Sequence, residues 1–183
     1  MEFTKPYRRI LASALIASSL LGLVSQAHAY SVYRRVTAGP NGVVVWAAAN
    51  FGVGGNPSTL SFFHFEDDDV ARAAMPAAQC FVKVELDLHD PQPGATTQVG
   101  NPYIVFPTKP ADQPRPFPWT IVFDNDPGDH WSIPKPEITD ATSNNAASRV
   151  AAAGFRSLAT TSGSNVTVIN GNLNNCVAQH AVS

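Results

Sequence analysis

The densest group of side chains that could do chemistry is the segment FDNDPGDHW, residues 123–131. It directly follows a predicted strand and brings together Asp124, Asp126, Asp129 and His130. Carboxylates two residues apart, followed by a glycine, can wrap a hard cation such as Ca²⁺. The spacing departs from that of an EF-hand loop, however. The favoured interpretation is therefore an Asx-type turn without a cofactor, and Ca²⁺ held by Asp124, Asp126 and Asp129 is the alternative.

Two histidines stand next to an aspartate just after a predicted strand. They are His89, followed by Asp90, and His130, preceded by Asp129. A carboxylate beside an imidazole can turn the ring into a general base. His130, Asp129 and His89 are therefore the candidates for catalysis if the protein is a small hydrolase. Adjacency along the chain does not bring two side chains together, so a binding function without catalysis is favoured.

Aromatic side chains close to the acidic segment offer a binding surface instead. Trp119 and Trp131 flank the segment, and Tyr103 precedes it. Flat rings among polar acceptors can stack on a sugar or a peptide, so these three residues are the candidates for ligand binding. The alternative is that the rings fill the core beneath the loops, as large aromatic side chains usually do.

The N-terminus has the pattern of a secretory signal peptide over residues 1–29. Three basic residues precede an uncharged apolar run, and small residues follow it. Cleavage after Ala29, which completes an A-x-A pattern, is predicted to leave Tyr30 first. Cleavage after Ala27 would instead leave His28 first, and its free amine beside the imidazole could chelate copper. Residues 30–183 then form one exported domain, in the periplasm or secreted, without a membrane span.

Charge, motifs and cysteine content limit the classes of function that the chain can have. Without the leader, 9 of the 12 basic and 13 of the 14 acidic side chains remain. This acidic balance argues against nucleic acid as a partner. The chain also lacks the common hydrolase, zinc-protease and P-loop motifs. The only two cysteines, Cys80 and Cys176, predict a disulfide in an oxidising compartment.

The pattern along residues 30–183 is mainly that of β-strands. Residues 80–88 alternate apolar and polar side chains, which is typical of a half-buried strand and points Cys80 toward the core. The other predicted strands, rich in β-branched and aromatic residues, are residues 30–37, 42–49, 59–65, 103–106, 119–123 and 165–169.

Two segments have helical patterns instead. Residues 144–158 space their apolar side chains as an amphipathic helix does. Residues 67–75 begin with carboxylates suited to a helix N-terminus and are followed by proline. Together these elements predict a mainly β fold, an antiparallel sandwich or barrel of about seven strands, with an α+β fold as the alternative.

Residues 91–136 contain 11 prolines. Proline cannot donate to a sheet ladder, so this region is predicted to form stiff loops around two short strands. Such loops can bind a ligand with little loss of entropy, or they can merely protect sheet edges. The sequence thus predicts an exported binding protein for a glycan, a peptide or another extracytoplasmic partner. A hydrolase using an Asp/His pair and a copper protein are the alternatives.

Overall fold

A computed structural model of the protein describes residues 30–101 and 114–179. The predicted leader with His28, the candidate Tyr103 and the strand predicted over residues 103–106 lie outside these described residues. The strands are β1 (Tyr30–Val36), β2 (Thr59–His64), β3 (Cys80–Leu86), β4 (Thr96–Val99), β5 (Trp119–Phe123), β6 (His130–Pro134) and β7 (Val166–Asn170), and the helices are α1 (Asp68–Ala74), α2 (Lys135–Ile138) and α3 (Asn144–Ala159).

All seven strands belong to one antiparallel sheet in the order β4-β5-β6-β2-β1-β3-β7. The sheet curls into a half-barrel. Strand β1 pairs with β3 along its whole length, but it meets β2 at only two positions, Val32↔His64 and Tyr33↔Phe63. The prediction of a mainly antiparallel β fold with few helices is confirmed, with a single curled sheet as the architecture.

Helix α3 covers one face of this sheet and completes the main core. The hydroxyl of Ser143 caps it by accepting a 3.0 Å bond from the amide of Ala146. The helix approaches the sheet so closely that a Cβ on Gly154 would lie 2.4 Å from the ring of Trp119. The helix predicted over residues 144–158 is confirmed. No helix in the described part of the chain is long and apolar enough to cross a bilayer.

Helix α1 packs on a smaller apolar cluster that contains Tyr33, Ala71 and Phe81. Asp67 caps the helix, because its carboxylate accepts bonds from the amides of Asp69 and Val70, both 2.8 Å long. The acidic residues at the start of residues 67–75 therefore begin a helix, as the sequence predicted.

The disulfide prediction is confirmed. Cys80 begins β3, is fully buried and is bonded to Cys176, with 5.9 Å between the two Cα atoms. The bond ties the segment around Cys176 to β3, next to the edge strand β7, across a sequence separation of 96 residues. It is consistent with an extracytoplasmic protein.

The strand predicted over residues 42–49 is wrong. This segment instead forms turns and isolated bridges, and Val44 takes its amide partner from the carbonyl of Val177. The side chain of Asn50 donates to the carbonyl of Val45, and the indole of Trp46 donates to the carbonyl of Ala178. These contacts with distant segments outweigh the local β propensity.

The proline-rich region contributes more to the sheet than its composition predicted. Besides β5, it supplies β4 and β6, two strands that were not among those predicted. Two of the described prolines lie where no ladder donor is needed: Pro134 ends β6, and Pro127 lies in the turn before it. The first four residues of β6 alternate polar and apolar side chains, yet all four are buried.

Candidate functional site

The acidic turn, residues 124–129, joins β5 to β6 at one end of the sheet. Its backbone reverses through two residues with positive φ, Asn125 at 53° and Asp129 at 61°. The side-chain oxygen of Asn125 accepts a 2.9 Å bond from the amide of Asp129. The turn is thus held by its own side chain, as an Asx-type turn is.

Asp124 holds two buried polar side chains of β6. One carboxylate oxygen lies 2.5 Å from Nδ1 of His130, and the other accepts a 2.7 Å bond from the hydroxyl of Ser132. His130 and Ser132 are only 7% and 4% exposed, and Phe63 packs against the imidazole. The structure therefore pairs His130 with Asp124 rather than with its chain neighbour Asp129.

This cluster orients an imidazole but does not prepare a nucleophile. Activation of a serine requires its hydroxyl to donate to the imidazole, whereas Ser132 donates to the carboxylate of Asp124. The other histidine candidate, His89, is exposed in the segment after β3. The structure does not bring His89 into the cluster, and the hydrolase hypothesis stays a prediction.

The carboxylates of the acidic turn point in different directions. Asp124 faces His130 and Ser132, while Asp126 and Asp129 are exposed. Within residues 30–101 and 114–179, no three or more His, Cys, Asp or Glu side chains are grouped so that they could hold a metal ion. A calcium site in this turn stays a prediction.

The two tryptophans predicted to bind a ligand are fully buried. Trp119 packs against α3 and the ring of Phe117, and Trp131 stacks on Phe123 at 5.0 Å between ring centroids. Neither indole offers a face to solvent, so stacking on a ligand would require the core to open. In this structure both rings fill the core, which is the alternative to ligand binding that the sequence left open for these residues.

A site that the sequence analysis missed lies where β1 and β2 separate. Beyond Tyr33, strand β1 no longer pairs with β2, and a cavity of about 700 Å³ occupies the gap. Its walls come from β1, β2, the loop around Asn50 and the segment after α1. This volume falls within the range typical of small-molecule sites.

Arg34 forms the polar wall of this cavity. Its Nε donates to the carbonyl of Asn50 and its Nη1 to the carbonyl of Ser61, both at 2.6 Å. The guanidinium also lies 5.9 Å from the centre of the Phe51 ring. Nη2 has no acceptor in the described part of the chain, so Arg34 keeps unused donors beside the cavity.

The cavity is positively charged although the whole chain is slightly acidic. Arg34 and Arg35 both line it, and none of the aspartates or glutamates in the described part of the chain does. Among the described residues, Arg34 forms no ion pair with a carboxylate. Burial of its guanidinium, together with the nearby charge of Arg35, lowers the pKa of Arg34 to about 10.

One signal in the sequence could have revealed this arginine. Successive residues of a strand point to opposite faces, and the two arginines are adjacent within a predicted strand. One guanidinium must therefore turn toward the covered face of the sheet. The structure shows that it is Arg34, whereas Arg35 is exposed.

A second cavity of about 640 Å³ lies beside α3, between the helix and the turn at Trp46. Arg149 and Arg156 line it together with small side chains of the helix. It shares no lining residue with the cavity between β1 and β2.

Comparisons with protein-family models, with curated proteins and with solved structures give no match for this chain.

Proposed function

We propose that this protein is an exported single-domain binding protein and that its ligand is a small molecule that enters the cavity between β1 and β2. The observation that carries the proposal is the gap in the sheet. An antiparallel sheet gains hydrogen bonds and packing by closing such a gap, yet here the strands part and enclose about 700 Å³. Apolar walls with a few convergent polar groups are typical of binding sites.

Binding accounts for these residues better than catalysis does. The cavity is lined by apolar and cationic side chains with the hydroxyl of Thr37 and the amides of Asn50 and Gln79. Among the described residues, its lining includes no histidine, carboxylate or thiol that could act as a general base or a nucleophile. The glycan and peptide hypothesis rested on Trp119 and Trp131, and their burial moves the favoured site to this cavity.

Export is supported by the pattern of the leader and by the disulfide, which forms in oxidising compartments. Intact-mass measurement of the protein recovered outside the cytoplasm should give a chain that begins at Tyr30. A chain that begins at His28 would favour the copper hypothesis instead, and an uncleaved chain would contradict export through this leader.

The binding site itself can be tested by NMR on the full exported chain. A library of small soluble fragments should perturb the backbone amides of residues that line the cavity, such as Thr37, Asn50 and Gln79, in a saturable manner. Amides beside the second cavity, such as that of Ala153, are the internal reference. Saturable shifts that cluster only around the second cavity, or no saturable shift at all, would contradict the proposal.

A further inference from the structure

We infer that the cavity between β1 and β2 is an anion site: it binds a small organic molecule through a carboxylate or phosphate group held by Arg34 and Arg35, with the apolar part of the molecule against Phe63 and Met75. The inference rests on the proposed binding function and adds the chemical class of the ligand. Its evidence is the placement of charge around the cavity.

A buried cation normally has a carboxylate partner, because removal of a charge from water is otherwise strongly unfavourable. Lys83, the other half-buried cation of the sheet, follows this rule. Lys83 lies 3.2 Å from Asp68, and Arg72 is paired with Asp69. Arg34, although it lies deeper than Arg72, is held only by two carbonyl oxygens and an aromatic ring among the described residues.

Those two carbonyl bonds also fix the direction of the guanidinium. Nε and Nη1 are held by different segments of the chain, so the planar group cannot turn freely. The two N–H groups of Nη2 therefore remain as oriented donors, which is the geometry that favours a carboxylate or a phosphate oxygen. Arg35 lines the same cavity and adds a second positive charge at its exposed side.

The other residues that line the cavity favour an organic anion over an inorganic ion. Phe63 and Met75 line the cavity as partly buried apolar side chains, and Ala78 is almost fully buried. A ligand with one anionic end and a short apolar body would bind both parts of the lining. Its anionic end would contact the arginines, and its apolar body would pack against Phe63 and Met75.

NMR titration of the full exported chain with matched probes tests the charge requirement. Hexanoate should bind saturably at Thr37, Asn50 and Gln79, and uncharged hexanamide should bind at least about tenfold more weakly, as expected when hydrogen bonds to a charged group are lost. Inorganic phosphate separates the two sources of the anion. Competition by phosphate that is tighter than hexanoate binding indicates a phosphate ester, whereas weaker competition indicates a carboxylate, and both outcomes support an anion site.

Variants test the arginines. Arg35→Gln leaves both carbonyl bonds of Arg34 in place and should weaken hexanoate binding about two- to fivefold, the range for an exposed charge. Arg34→Lys keeps the charge but loses the planar group, and should weaken binding about tenfold or more. Arg156→Gln is the matched control, because it removes the same charge from the second cavity. It should leave the affinity unchanged.

Three results would overturn the inference. Equal affinity for hexanoate and hexanamide in the cavity would show that the site takes uncharged molecules, and the proposed binding function would then stand without the anion. Equal weakening of hexanoate binding by Arg35→Gln and Arg156→Gln would show that the affinity depends only on the net charge of the protein and not on a charge at the cavity. Absence of any probe from the cavity, neutral or charged, would contradict the binding function as well.

Discussion

Substitution of Gly154 by alanine tests whether α3 packs on the sheet as closely as the structure shows. In an exposed helix this change stabilises the protein by about 0.5–1 kcal/mol, because glycine loses more backbone entropy on folding. Here the new Cβ would lie 2.4 Å from Cη2 and 3.1 Å from Cζ2 of Trp119. Real Cβ atoms do not approach this closely, so either the helix or the indole must move.

The indole has little room to move, because Trp119 is fully buried between Phe117 and Phe155. Overpacking of a filled core lowers stability by about 1–3 kcal/mol. After subtraction of the propensity gain, we expect Gly154→Ala to lower the free energy of unfolding by about 1–2 kcal/mol. For a chain of this length each kcal/mol lowers Tm by about 2–4 °C.

Urea and thermal unfolding of the purified protein measure this effect. Ala153→Gly, at the exposed neighbouring position, is the control for propensity and should lower stability by about 0.5–1 kcal/mol. In a Trp119→Phe background the ring is smaller, so Gly154→Ala should become neutral or stabilising through the coupling of the two sites. An increase in stability for Gly154→Ala alone would refute the close approach of α3 to β5.

Three further outcomes follow from the fold and the acidic turn. Cys80→Ala/Cys176→Ala should lower the free energy of unfolding by about 2–5 kcal/mol, since the bond closes a long loop of the unfolded chain; an unchanged denaturation midpoint would contradict this. Burial and the hydrogen bond to Asp68 raise the pKa of Tyr33 above its ordinary value of 10. The stability that the neutral phenol supplies below pH 10 should therefore be lost as pH rises through the raised pKa. Phenolate absorbance against pH, with Tyr33→Phe as the control, checks the direction of the pKa shift. Asp124→Asn should lower the free energy of unfolding by about 1–2 kcal/mol, because the bonds to His130 and Ser132 become weaker. EDTA should leave Tm unchanged. A calcium-dependent rise in Tm that Asp126→Asn abolishes would show a cation in the turn.

The sequence predicted well wherever one local rule acts alone. Strict alternation located β3 and turned Cys80 inward, and the spacing of apolar residues located α3 to within a residue. Asp67 was recognisable as part of a helix start because an N-cap uses only its nearest neighbours. In each case the information lies within one element, so no distant contact was needed.

The candidate site was less predictable because its contacts cross between elements. His130 was expected to use Asp129, its chain neighbour, but β-pairing turns its ring toward Asp124, six residues away. Strand β6 was not recognised although its residues alternate, because the alternating run is only four residues long and ends at Pro134 in a proline-rich region.

The sequence by itself determined the class of fold, the long helix and the disulfide, because hydrophobic period, helix capping and cysteine count are properties of short segments or of composition. Only the tertiary structure decided which polar groups meet. Beyond Tyr33, strands β1 and β2 no longer pair, and Arg34 instead donates to the carbonyls of Asn50 and Ser61, which belong to other segments of the chain. Two adjacent arginines in a strand require that one faces inward, but what surrounds that arginine is set by residues distant in the chain.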